Sequence, residues 1–147
     1  MTPYDTDFFA WTQEQAALLR EGAVQELDCI NLAEEIESLG KSDRWTLGIY
    51  LLALMMHLLK WQYQPGGRLT GQSWAWSILN ARADIEAILE DSPSLVATIP
   101  ALIAHRYPLA RQGAADETRL SLETFPTEPP WHDEQVLDPD FWPEAQP

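Results

Sequence analysis

Residues 45–63 read WTLGIYLLALMMHLLKWQY, the most apolar stretch of the chain. From Leu47 to Leu59 only Gly48 and His57 interrupt it. That run is 13 residues long, short of the ~20 that a bilayer-spanning helix needs. Almost every face of a helix drawn through it is apolar, so it must have neighbours on more than one side. The reading is an all-α fold: a bundle of about five helices around this central apolar helix, with an extended C-terminal strap.

The flanking helices follow from periodicity and stop signals. Upstream, Asp28 is a good N-cap for residues 28–40, where Cys29, Leu32, Ala33, Ile36 and Leu39 form one apolar stripe. Gly40 followed by Lys41-Ser42-Asp43 reads as a stop and a new cap. Two helices are therefore expected to meet there, with one helix kinked at Gly40 as the alternative. Before them, residues 5–20 form a first helix capped by Asp5 or Thr6, packed through Phe8 and Trp11 and stopped at Gly22. Downstream, residues 65–71 (PGGRLTG) read as a flexible loop carrying Arg68. It lacks both the phosphate-loop spacing and a preceding strand. Trp74, Ile78, Ala81, Ile85 and Ile88 then mark an amphipathic helix over 73–90, on which Arg82 and Glu86 are spaced for a surface ion pair. Ser92-Pro93 opens a last helix to about residue 118, kinked or segmented by Pro100 and Pro108.

Charge divides the chain unevenly. The net charge is −14, which argues against sequence-independent binding to nucleic acid or to an anionic membrane, both negative surfaces. Residues 113–147 hold nine acids against the single base Arg119, and six of the eleven prolines. That composition suggests disorder. Yet Phe125, Trp131, Val136, Leu137, Phe141 and Trp142 are anchors that free tails lack. We read 1–119 as the helical bundle domain and 120–147 as a Pro-rich acidic segment docked on it, with 143–147 fraying. One cysteine excludes an internal disulfide and fits a reducing cytosol. No apolar N-terminal segment follows a positive charge, so a cytoplasmic location is expected.

Several pieces of the chain resemble one bacterial group, domain-of-unknown-function family twenty-nine. They are YDTDFFAW at 4–11, NLAEEIESLG at 31–40, HLLKWQYQP at 57–65, DSPSL at 91–95, ETFP at 123–126 and QVLDPDFWP at 135–143. The resemblance implies an all-helical protein and carries over no activity, cofactor or catalytic residue. Two positions depart from the family's pattern. Trp45 stands where charged residues are usual, and Pro129-Pro130-Trp131-His132 replaces a Cys-Pro-Tyr-Thr-like sequence.

No motif assigns a reaction. The most pointed polar feature is His57 in its apolar run, with Glu34, Glu35 and Glu37 on the preceding helix. A buried ring nitrogen needs a partner, and a carboxylate or a carbonyl would serve. The bland reading is a satisfied core histidine; the sharper one is a metal site or a general base at His57, Glu34 and Glu37. Paired Glu-x-x-His, His-Glu-x-x-His and Cys-x-x-Cys motifs are all absent, so no metal and no cofactor are expected. Lys60 and Trp61 are weaker ligand-binding candidates, Lys60 being more simply an ion-pair or snorkelling lysine. Cys29 reads as a buried structural thiol. A surplus of tryptophans, Trp45, Trp74, Trp76 and Trp142 among them, favours an interaction surface. The expected function is thus a non-enzymatic helical interaction or structural protein. Its partner is another protein or a second copy, a homodimer following from the many apolar faces of the central helix. The alternative is a small metal-binding or hydrolytic enzyme.

Overall fold

The computed structural model describes residues 2–68 and 73–145. These residues are all-α, with five α-helices and no strand among them: α1 Phe8–Glu21, α2 Cys29–Tyr63, α3 Ser73–Asp91, α4 Ile99–Thr118 and the short α5 Asp133–Leu137. Single 3₁₀ segments occupy Val24–Glu26, Pro65–Arg68, Pro93–Thr98 and Leu122–Thr124. The expected loop at 65–71 therefore begins as a 3₁₀ turn, and its last three positions lie outside the described residues. The chain divides into two compact units, Met1–Ser42 and Asp43–Pro147.

One expectation about helix boundaries is corrected. α2 runs without a break through Gly40, so the two helices read from the sequence are one. Glycine weakens a helix by only about 1 kcal/mol relative to alanine. The residues that follow it contain no proline to block the ladder.

In the first unit, α1 is capped by Asp7, not by Asp5 or Thr6, its carboxylate accepting from the Ala10 N–H at 3.0 Å. Gly22 ends the helix in the left-handed region at φ 72°, donating to the Leu18 and Leu19 carbonyls. Glycine reaches that conformation without a Cβ clash. Asp28, just before α2, ties the hairpin together. It accepts from Trp11 Nε1 at 3.0 Å and Asn31 Nδ2 at 2.8 Å, while its own N–H donates to Gln15 Oε1 at 2.8 Å. The Asn31 amide, then the Trp11 indole, hold its carboxyl below the usual aspartate value. Cys29 is exposed, contrary to the buried thiol expected.

The second unit holds the hydrophobic core. Leu47, Leu51, Leu54, Met55, Leu58 and Leu59 of α2 are fully buried. They join Ile78, Ala81 and Ile85 of α3 with Ile99, Leu102, Ile103, Tyr107, Ala110 and Ala114 of α4 in one cluster. The stripe read from the sequence on α3 thus faces inward. Pro100 sits in the first turn of α4, where its missing N–H costs nothing, and only Pro108 interrupts the helix interior. The helix expected to open at residue 93 begins instead as a 3₁₀ turn at Pro93–Thr98, and the α-helix starts at Ile99.

Residues 120–145 run along this unit. Phe125, Trp131 and Val136 are buried within the core cluster, and Phe141 and Trp142 pack half-buried against it. Polar groups on the helices hold the segment by its backbone. Tyr107 Oη donates to the Pro126 carbonyl at 2.7 Å and Arg111 Nε to the Phe125 carbonyl at 3.0 Å. Trp131 Nε1 donates to Gln62 Oε1 at 2.9 Å. Pro143, expected to fray, is buried.

Candidate functional site

Two places in the fold carry chemistry or unused surface. One is the end of α2 in the second unit, where the sequence put three of its five candidates. His57 is half-buried, and its Nδ1 lies 2.7 Å from the Ala53 carbonyl one turn back; a carbonyl only accepts, so Nδ1 carries the proton. Burial, and then the nearby Lys60 charge, push the imidazole below its usual pKa, only partly opposed by that hydrogen bond. Lys60 is 4% exposed. Its ammonium pairs with the Glu117 carboxylate of α4 and lies 5.9 Å from the centre of the Trp74 ring. The ion pair expected of Lys60 is thus made with an acid of α4. Burial lowers the Lys60 pKa. Trp61 packs on Trp142 with ring centres 4.7 Å apart. Lys60 and Trp61 thus join α2 to α4, to α3 and to the tail, while the His57 hydrogen bond stays within α2.

Glu34 and Glu37 are exposed residues of the first unit. Among the described residues, no group of three or more His, Cys, Asp or Glu side chains could hold a metal ion.

The other place is the hairpin of the first unit, where sequence reasoning saw only a core stripe. Trp11 and Gln15 are the only fully buried side chains among its described residues. Tyr4, Phe8 and Trp11 form an aromatic cluster, Tyr4 edge-on to Trp11 at 4.8 Å and Phe8 stacked on it at 5.8 Å. The Tyr4 hydroxyl donates to the Glu35 carboxylate, which pushes the phenol up to about 12. Beside this cluster runs a groove of about 350 Å³. Its walls are Phe8, Trp11, Thr12, Gln15, Ala16 and Leu19 of α1 facing Leu32, Glu35, Ile36 and Leu39 of α2. Phe8 is 50%, Leu19 54%, Ile36 66% and Leu39 68% exposed. The apolar stripe read on α2 is therefore uncovered at Ile36 and Leu39, and Phe8, expected in the core, is not a core residue. A regular stripe shows which helix face is apolar; it does not show what covers that face.

A family model matches residues 3–142, nearly the whole chain. The chain belongs to the family described as domain of unknown function DUF29. No curated protein and no solved structure matches it. The pieces that carried the resemblance now have places in the DUF29 chain. YDTDFFAW supplies the Asp7 cap and the Tyr4–Phe8–Trp11 cluster. NLAEEIESLG supplies the α2 wall of the groove. HLLKWQYQP holds α4 and the tail through Lys60, Trp61 and Gln62.

Arg82 is the polar residue whose role the sequence hid. In place of a surface ion pair with Glu86, it is 5% exposed. Its guanidinium donates to the carbonyls of Val136 at 3.0 Å, Phe141 at 2.8 Å and Gln135 at 3.3 Å. Five fixed donors make arginine suited to gathering several backbone oxygens at once. Nothing in a sequence marks which distant carbonyls a buried arginine will collect.

Proposed function

We propose that this DUF29 chain is a non-enzymatic interaction protein whose docking face is the α1–α2 groove of its first unit. The exposure of Phe8, Leu19, Ile36 and Leu39 along one continuous groove carries the reading. Single exposed apolar residues need no explanation, but a contiguous apolar groove at the surface marks an interaction site. The hairpin has almost no interior of its own, so these side chains contribute little to its stability as it stands. A trough walled by two helices and lined mainly by apolar side chains suits an apolar segment of a partner protein. The single cysteine and the acidic composition support a cytoplasmic setting.

At the other place, the ring Nδ1 of His57 is spent on the Ala53 carbonyl and Lys60 on Glu117, a use as structural ties. A hydrolytic or metal-binding reading gains no specific support from that arrangement.

The test is affinity capture from the native host with the intact chain and with an Ile36→Ser/Leu39→Ser variant, followed by reconstitution with the purified partner. Binding that reconstitutes with the native chain and is lost in the variant supports the proposal. A purified partner that binds both chains equally contradicts it.

A further inference from the structure

The groove has features that narrow what fills it, and the inference rests on the interaction reading above. Its α1 wall uses positions 8, 11, 12, 15, 16 and 19, and its α2 wall uses 32, 35, 36 and 39. At ~1.5 Å per residue the α1 wall is about three turns long. An apolar trough of that length between two helices matches the apolar face of a third helix, anchored at i, i+3, i+4 and i+7. The floor also holds an unfinished polar group. Gln15 is 1% exposed, its Oε1 accepts from the Asp28 N–H, and its Nε2 has no acceptor among the described residues. Buried donors in native structures are paired. An occupant with a side-chain oxygen on its polar edge would complete it.

Charge decides between a second copy and a foreign helix. The first 42 residues carry nine acids and two bases, Arg20 and Lys41. A two-fold pairing of two such hairpins would set like charge against like, on chains of net charge −14 each. A helix with lysine or arginine flanking its apolar stripe meets the opposite field. We infer that the groove binds a basic amphipathic helix supplied by a different protein, and not a second copy of this chain.

The experiment uses the full chain and two labelled synthetic helical peptides. Both carry leucine at i, i+3, i+4 and i+7; one has lysine at the flanking positions and the other glutamate. Fluorescence anisotropy is measured at low and moderate salt, with light scattering of the chain alone over a concentration series. The expected result is a constant monomer mass, binding of the lysine peptide that weakens with salt, and no binding of the glutamate peptide. An Ile36→Glu/Leu39→Glu variant, with helical content and melting checked, separates groove binding from mere attraction to an acidic chain. The added charge would strengthen a purely Coulombic contact, whereas losing the apolar wall should weaken groove binding at least about tenfold. Retained or tighter binding in that variant overturns the inference and removes support for the groove itself. A dimer of the native chain that the Ile36→Ser/Leu39→Ser variant dissolves overturns the basic-helix inference while leaving the groove as an interaction face. Equal binding of both peptides, lost in the variant, does the same.

Discussion

His57 shows how one buried residue ties stability to pH. Its folded pKa lies below the usual ~6.5 because burial disfavours the charged ring. Between the folded and unfolded values the unfolded chain holds more protons, so acidification through the range just under ~6.5 destabilises the fold. Above that range the ring is neutral in both states and the penalty vanishes. His57→Gln keeps a donor for the Ala53 carbonyl and removes the titration. Urea midpoints at about pH 7.5 and about pH 5.5 should fall less steeply in the variant than in the native chain; equal falls would contradict the assignment. Gly40 gives the opposite kind of prediction. A Cβ built there meets nothing within 4 Å, and the position lies inside α2. Gly40→Ala should therefore stabilise the chain by about 0.4–1 kcal/mol, mostly by restricting the unfolded state. A loss of stability would mean that α2 bends at this point.

At the scale of elements, α2 was the most legible and also the most misread. Its apolar run announced the core, because residues with no polar face can only be buried. Leu54 is fully buried within the cluster, so Leu54→Ala should cost about 2–5 kcal/mol, read from the shift in the denaturation midpoint. The boundary at Gly40 was misread because a glycine is a local signal, and helix continuation on both sides outweighs it. The tail posed a conflict between composition and pattern. Its acids and prolines argue for disorder, while its aromatics recur every few residues. Burying an aromatic side chain contributes several kcal/mol at ~25 cal/mol per Å². Prolines reduce the entropy lost on ordering. What no pattern could show is how the backbone of that segment is held, since Arg82 reaches carbonyls more than fifty positions away. Arg82→Met keeps most of the packing volume and leaves those carbonyls without their donor. It should cost more than about 2 kcal/mol and speed hydrogen exchange across residues 133–142. Unchanged exchange there would contradict the role given to the guanidinium.

For the molecule as a whole, the all-α class and the central helix were readable from hydrophobic pattern alone, because burial of an all-round apolar helix leaves few alternatives. The groove proposed as a docking face was not. The eye was drawn to His57, Glu34, Glu37, Lys60 and Trp61, the residue types that carry chemistry. The unused surface lies instead in Leu19, Ile36 and Leu39, whose spacing is identical to that of ordinary core positions. The two units divide the work in this account: Asp43–Pro147 keeps a finished core, and Met1–Ser42 keeps an apolar face uncovered. The melting behaviour of the Ile36→Ser/Leu39→Ser variant tests that division most directly. If the groove is a docking face and no part of the folding core, the unfolding free energy stays within about 0.5 kcal/mol of the native chain. A loss of more than about 2 kcal/mol, the range of a buried apolar truncation, would make these residues core and contradict the account.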